Sequence, residues 1–317
     1  MGLLSLLFGN KKESAAETAQ KNQKKFEIFK YDGMRAWRMG HLDYAIKCFN
    51  EAWALENDFE TMGYLAQTYQ QTNQLEAARG LYNLMHEMEP EHIITLINLA
   101  NVCYMQEDYP AMGKAAKKVI DIEQGNAMAH YLLGKAVDGQ GNDIMSIAHL
   151  TKAITLKEDF IEARLMRAEA LLNMRQLNEA MEDIDAILSY EPENEQAILL
   201  RGQKYLAEGN SANAEEDYRH IIALNPFNEQ AFLYLGELYI EQGKLNEAIA
   251  TFDEAIELNP QFAKAYHERG RAKLLNGDKE GSLEDVKKAM EFAPKEAEAL
   301  NGTYHNFEAH QTNVLGL

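Results

Sequence analysis

Residues 229–262 read EQAFLYLGELYIEQGKLNEAIATFDEAIELNPQF, and this stretch decides the fold. Its first half has apolar residues at the spacing of one helix face: Phe232, Leu235, Gly236 and Tyr239. Gly243 marks a turn, and Asn246 is predicted to cap a second helix. That second helix carries its own stripe: Leu245, Ala248, Ile249, Phe252, Ala255 and Ile256. Asn259-Pro260 should end it, because the residue before a proline avoids helical backbone angles.

Helices this short are only marginally stable alone, so each stripe needs a neighbour. The chain supplies neighbours by repetition, because a proline returns every 34 residues at Pro192, Pro226, Pro260 and Pro294. Two further columns hold mostly small residues. The first comprises Gly33, Ala66, Ala100, Gly134, Ala168, Gly202, Gly236 and Gly270. The second comprises Ala45, Ala78, Met112, Ser146, Ala180, Ala214, Ala248 and Ser282. Small side chains at fixed positions indicate helices that cross closely.

These columns resemble those of the tetratricopeptide repeat family, whose period and small, aromatic and proline positions match. The resemblance implies an all-α fold, a right-handed α-solenoid of helix-turn-helix units. It covers eight tandem units, at residues 26–58, 59–92, 93–126, 127–160, 161–194, 195–228, 229–262 and 263–296. The third unit departs most from the pattern, with Pro110 at the start of its second helix, where proline is tolerated. In the fifth unit, Arg175 replaces the turn glycine.

The two ends of the chain lie outside the repeats. Residues 1–25 are predicted to be a flexible segment with a lysine-rich tether, and residues 297–317 a capping helix and tail. The N-terminal segment begins with a short apolar cluster: Leu3, Leu4, Leu6, Leu7 and Phe8. This cluster is too short to span a membrane and lacks a basic leader. It is a candidate for peripheral membrane contact, or alternatively for packing on the first repeat or on a partner.

The composition is that of an acidic, helix-forming protein with a formal charge of −19. Binding to a nucleic-acid backbone requires clustered Lys and Arg, so we expect no nucleic-acid partner. Cys48 and Cys103 are the only cysteines, and both fall within apolar helical patterns. They indicate buried thiols in a reducing compartment, so we expect a cytoplasmic protein, with peripheral membrane attachment as an alternative.

The sequence contains no pattern of catalytic or metal-binding residues. There is no GxxxxGK[ST] phosphate loop and no HExxH pair. Paired acidic residues follow the outward faces of the second helices, where solvated surface explains them. We therefore expect no enzyme activity, no cofactor and no metal.

In the tetratricopeptide repeat family, first helices line a concave groove that holds an extended or helical peptide from a partner protein. The resemblance implies groove positions in the first four repeats at Lys30, Tyr31, Trp37, Tyr64, Gln67, Asn98, Asn101, Tyr104, Tyr131 and Lys135. Aromatic side chains bury area at a low entropic cost, and amides can pair with an extended backbone. Farther along, the corresponding positions carry Glu162, Glu169, Glu237 and Glu241. That half should prefer neutral or basic segments.

Three functions remain open at this point. The first is a non-enzymatic adaptor that binds partner proteins on the solenoid. The second is the same solenoid tethered to a membrane surface through residues 3–8 as an assembly factor. The third is a regulator resembling peptide sensors of this family, although residues 1–25 could not form the DNA-binding domain that such regulators usually carry.

Overall fold

The computed structural model of the chain describes residues 15–293, and helices hold 81% of them. The first helices of the successive pairs are α1 (Ala15–Arg38), α3 (Phe59–Gln71), α5 (Ile93–Met105), α7 (Ala127–Asp138), α9 (Ile161–Asn173), α11 (Glu195–Ala207), α13 (Glu229–Glu241) and α15 (Ala263–Leu275). The second helices are α2 (Leu42–Leu55), α4 (Leu75–Met88), α6 (Tyr109–Ile122), α8 (Asp143–Leu156), α10 (Leu177–Tyr190), α12 (Ser211–Leu224), α14 (Leu245–Leu258) and α16 (Lys279–Phe292). The predicted all-α class is confirmed.

The chain forms two compact units that divide between Ala163 and Arg164, within α9. In the first unit, one buried cluster runs from Ala36 on α1 to Ala136 on α7. In the second unit, a cluster runs from Ile198 on α11 to Ala272 on α15. Each unit is therefore a stack of helical hairpins whose core is shared between neighbouring hairpins.

The small-residue column marks the place where each first helix crosses its own second helix. A methyl group added at Gly33 would lie 2.7 Å from the ring of Phe49, sixteen positions later. The same addition at Gly236 would overlap the ring of Phe252, which is fully buried. In the third pair both positions are alanine, Ala100 and Ala116, and both are buried. In the two glycine pairs, a large ring on the second helix thus occupies the space that the glycine of the first helix leaves open.

The turns between paired helices need a residue with positive φ. Gly243 has φ 71°, and Arg175, the residue predicted to replace a turn glycine, has φ 62°. Asn73 and Glu107 adopt the same conformation at φ 57° and 58°. This backbone conformation costs a non-glycine residue about 1 kcal/mol or more.

Two helix starts differ from the sequence-based expectation. Helix α1 begins at Ala15, so the segment predicted to be a flexible tether is helical from that residue on, and residues 16–25 are exposed. Asn246 does not cap α14, because the helix already begins at Leu245 with Lys244 at the N-cap position. Asn246 instead accepts a hydrogen bond from Asn276 of the next hairpin at 3.1 Å. The predicted apolar cluster at residues 3–8 and the capping segment 297–317 lie outside the described residues.

Successive first helices contact one another directly at α1–α3, α5–α7 and α13–α15. Within residues 15–293, no pair of second helices makes contact of this extent. These contacts indicate that the first helices form one side of each unit. We call the surface formed by α1, α3, α5 and α7, and separately that formed by α9, α11, α13 and α15, the inner face of its unit.

A buried ion pair links the two helices of several hairpins in the second unit. Arg167 pairs with Asp183 at 2.7 Å, Arg201 with Asp217 at 2.7 Å, and Arg269 with Asp285 at 2.6 Å. Each arginine precedes its aspartate by sixteen residues. Burying a carboxylate is costly unless it is paired, and each guanidinium supplies two parallel donors.

We predict that Gly236→Ala lowers the free energy of unfolding by about 1–3 kcal/mol, because the new methyl group must displace the Phe252 ring. The matched control is Gly80→Ala on α4, where an added Cβ meets nothing within 4 Å. There the substitution should stabilise the protein by up to about 1 kcal/mol through helix propensity. Urea unfolding followed by circular dichroism measures both. Equal effects of the two substitutions would contradict the close crossing.

The ion pair of Asp285 predicts acid-dependent stability. Burial raises the pKa of Asp285, but hydrogen bonds from Arg269 and Lys273 outweigh it, so the folded-state pKa lies below the ordinary value. The stabilisation is therefore complete above about pH 4 and is lost as the pH falls through the folded-state pKa. Asp285→Asn should cost roughly 1–3 kcal/mol at neutral pH, and this cost should shrink below about pH 4.

Urea titrations of wild type and variant over this pH range test the prediction. Glu284→Gln is the control, because Glu284 is the exposed neighbour on the same helix. A cost for Asp285→Asn that stays constant down to about pH 3 would show that the charge of Asp285 contributes nothing.

Candidate partner-binding surface

Two aromatic side chains of the inner face of the first unit, Trp37 and Tyr64, pack against neighbouring helices. Tyr64 stacks on Phe49 at a centroid distance of 5.7 Å, and Trp37 meets the Tyr64 ring edge-on at 5.6 Å. The Trp37 Nε1–H donates to Gln71 Oε1 at 3.1 Å. Trp37 and Tyr64 therefore stabilise the α1–α3 contact. Tyr31, in contrast, is 59% exposed.

Two further aromatic side chains of this inner face are Tyr104 on α5 and Tyr131 on α7. The Lys135 ammonium sits 3.5 Å from the centroid of the Tyr104 ring, and Tyr131 packs on Phe160 at 5.0 Å. Burial, and then the charges of Glu162 and Tyr104, raise the pKa of Tyr131. The structure thus brings the predicted residues Tyr104 and Lys135 into contact, and Tyr131 lies on the same helix as Lys135.

The predicted basic positions of the inner face differ in what engages them. The Lys30 ammonium lies 2.7 Å from both Asp58 and Glu60 and is largely buried. Burial lowers the pKa of Lys30, but hydrogen bonds to these two carboxylates outweigh it and raise the pKa. Lys30 therefore connects α1 to α3. Arg269 of α15, which is not among the predicted positions, is likewise engaged by Asp253 and Asp285.

Three predicted amide positions form a different class. Gln67 on α3 and Asn98 and Asn101 on α5 are half-buried. Within the described part of the chain, their side-chain amides make no hydrogen bond. A half-buried amide without a partner has both donor and acceptor capacity to offer.

The inner face of the second unit is acidic at α13. Glu237 is half-buried and Glu241 is exposed. Burial, followed by the charges of Glu268 and Glu241, raises the pKa of Glu237, although Arg271 partly offsets this. Glu169 is exposed on α9. The charges that act on Glu237 thus come from α13 and the neighbouring α15.

Sequence reasoning missed Tyr218 of α12, which lies beneath this acidic surface. Tyr218 is fully buried, and its hydroxyl has no hydrogen-bond partner among the described residues. Its ring packs against Tyr234 at 5.5 Å. The only available signal was a tyrosine in a second-helix column where apolar residues suffice, and that pattern alone is compatible with core packing.

Comparison with known proteins identifies the repeats. Models of the tetratricopeptide repeat match residues 165–229, 218–250 and 236–277. Residues 165–277 therefore contain tetratricopeptide repeats, and the resemblance predicted from the residue columns is confirmed. Among the described residues, no helix is long and apolar enough to cross a membrane.

The sequence relatives share only a segment of the chain. Human DnaJ homolog subfamily C member 3 is 36% identical over 78 residues, which are 24% of this chain and 16% of that protein. The mouse protein of the same name is 32% identical over 77 residues, covering 24% and 15% of the two chains. The present chain therefore matches about one sixth of the length of these relatives.

Solved structures extend the likeness to the fold. A tetratricopeptide repeat protein from Parabacteroides merdae has a TM-score of 0.64 at 18% identity, covering 75% of this chain and 94% of that one. PilF from Pseudomonas aeruginosa has a TM-score of 0.57 at 15% identity, covering 70% and 99%. The Cut9–Hcn1 hetero-tetramer of the APC/C contains a chain with a TM-score of 0.59 at 10% identity, covering 93% and 56%. At these identities, the similarity concerns the fold alone.

Proposed function

We propose that the protein is a non-enzymatic scaffold that binds a segment of a partner protein on the inner faces of its helical hairpins. One observation carries the proposal: the half-buried amides of Gln67, Asn98 and Asn101 have no partner in the described chain. They lie on α3 and α5, and the exposed ring of Tyr104 lies on α5 as well. Amides that can pair with a peptide backbone beside an exposed aromatic ring suit peptide capture.

The charge of the second unit supports a preference within this function. The first helices of this unit carry Glu169, Glu237 and Glu241. Burial and acidic neighbours raise the pKa of Glu237. A basic partner segment would relieve this repulsion, whereas an acidic segment would add to it. We therefore propose that this part of the surface takes a neutral or basic segment.

The decisive experiment compares aromatic side chains on the two sides of the hairpins. We expect the double variant Tyr31→Ala, Tyr104→Ala to capture its natural partner at least tenfold more weakly than wild type, because each truncation removes exposed contact area from the inner face. Affinity capture by the full chain followed by mass spectrometry identifies the partner, and titration calorimetry with that partner measures the loss.

The matched control is Tyr44→Ala, Tyr190→Ala, which removes two tyrosines on second helices that are 55% and 57% exposed. This pair should retain wild-type binding. Trp37 and Tyr64 are left unchanged, because their removal would also disturb helix packing. If both double variants bind as wild type does, the inner face of the first unit is not the binding surface.

We also propose a second candidate, peripheral attachment to a membrane surface. It rests on the apolar residues Leu3, Leu4, Leu6, Leu7 and Phe8 and on lysines of the exposed start of α1. We expect the full chain to co-sediment with phosphatidylcholine vesicles that contain phosphatidylserine, and Leu4→Ser, Leu7→Ser, Phe8→Ser to abolish this. The control is Ile28→Ser, which changes an exposed apolar residue of α1. Co-sedimentation that survives the triple substitution would contradict the tether.

A further inference from the structure

Tyr218 carries a hydroxyl group for which the helix packing has no use. The same column holds Phe49 in the first hairpin and Phe252 in the seventh, and both fill it with a bare ring. The hydroxyl of Tyr218 is buried without a hydrogen-bond partner among the described residues. A buried polar group left unpaired costs about 1–3 kcal/mol. Phenylalanine would fill this site without that cost.

The hydroxyl reaches toward the inner face of the second unit. A Cβ built on Gly202 of α11 would lie 3.1 Å from the Tyr218 hydroxyl oxygen, so the phenol passes directly beside a first helix. Burial raises the pKa of Tyr218, and the charges of Tyr234, Asp217, Glu237 and Glu241 raise it further. Asp217 already pairs with Arg201. The Tyr218 ring packs on Tyr234 of α13 at 5.5 Å, and Glu237 and Glu241 follow Tyr234 by three and seven residues, on the same face of that helix.

Glu237 is a second polar group without a partner. Within residues 15–293, its half-buried carboxylate makes no hydrogen bond and no ion pair. The nearest cation on the adjacent helix, Arg271, is held by Glu268 at 3.1 Å, and Glu268 also interacts with His267 at 2.8 Å. The guanidinium group of Arg271 is therefore engaged by Glu268 and forms no ion pair with Glu237. The protein leaves a half-buried acid and a buried phenol unpaired at the same place.

We propose that Tyr218, Glu237 and Glu241 form a subsite for one lysine or arginine side chain of the partner segment. This proposal rests on the proposed scaffold function and specifies one contact within it. An ammonium or guanidinium group supplies the positive charge that Glu237 and Glu241 lack and the N–H donors that the phenol oxygen can accept. A neutral side chain leaves the carboxylates uncompensated, and an acidic one adds repulsion.

The Tyr218 hydroxyl is buried in the free protein, so the cation can reach it only if the side chains of Glu237 and Tyr234 change conformation. Glu237 and Tyr234 are both half-exposed, and such side chains change rotamer readily when an interface forms. The bound cation then lies between α12 and α13. It forms charge-assisted hydrogen bonds to groups that have no hydrogen-bond partner in the free protein. The selectivity of this subsite comes from charge and from the phenol together.

The test uses the full chain and a set of blocked nine-residue peptides of alanine and serine with one central residue varied. The central residue is Lys, Arg, Met or Glu, and binding is measured by two-dimensional NMR titration. We expect the Lys and Arg peptides to bind about five- to tenfold more tightly than the Met peptide, and the Glu peptide to bind weakest. Glu237→Gln should remove most of this preference.

Tyr218→Phe separates the phenol from helix packing. We expect it to leave the melting temperature unchanged or higher, because the unpaired hydroxyl is lost, while the Lys and Arg preference falls several-fold. The matched control is Tyr82→Phe, because Tyr82 has a buried, unpaired hydroxyl in the same column of the first unit. That substitution should leave the peptide preference as in wild type.

Three results would overturn the subsite. They are equal affinity for all four peptides, no binding of the Lys and Arg peptides at millimolar concentration, or an unchanged preference in Tyr218→Phe. None of these results bears on the aromatic inner face of the first unit, which is tested independently by Tyr31→Ala, Tyr104→Ala. The failure of the subsite is therefore distinguishable from failure of the scaffold function.

Discussion

The structure depends on one steric constraint, the close crossing of the two helices within each hairpin. Gly33, Gly202 and Gly236 have no side chain at the crossing, and the rings of Phe49, Tyr218 and Phe252 occupy the space. A short helix is marginal alone, but a pair locked by such a contact presents continuous apolar stripes to the next pair. Repeating the contact builds a core in each unit without any helix longer than α1.

The same packing determines which polar groups remain for function. Asp183, Asp217 and Asp285 are buried, and arginines of the paired helix neutralise them. Lys30 is likewise held by carboxylates of the next hairpin. These groups hold helices together, although a residue list alone would count them among the charges of the surface. Among residues 15–293, hydrogen-bonding capacity remains unused at the amides of α3 and α5, at Glu237 and at the phenol of Tyr218, and also at buried groups of other second helices such as Tyr82.

The two units therefore present different chemistry on the same type of helix. The inner face of the first unit offers aromatic rings and amides, and Lys135 lies over the ring of Tyr104. The inner face of the second unit offers carboxylates whose mutual repulsion is only partly relieved by Arg271. Because such side chains can vary without disturbing the helix crossings, the same fold can serve many partners.

The sequence by itself determined the helical repeats, the all-α class and the helix ends at proline, because period and residue size are local properties that repeat along the chain. It could not determine the start of α1 at Ala15 or the role of Asn246, because both depend on contacts and on where the helix begins. It placed Lys30 among the groove positions, whereas Asp58 and Glu60 of the next hairpin engage its ammonium group. Only the tertiary structure placed Tyr218 against Tyr234, on the helix that carries Glu237, because residues sixteen positions apart meet through the packing of two hairpins.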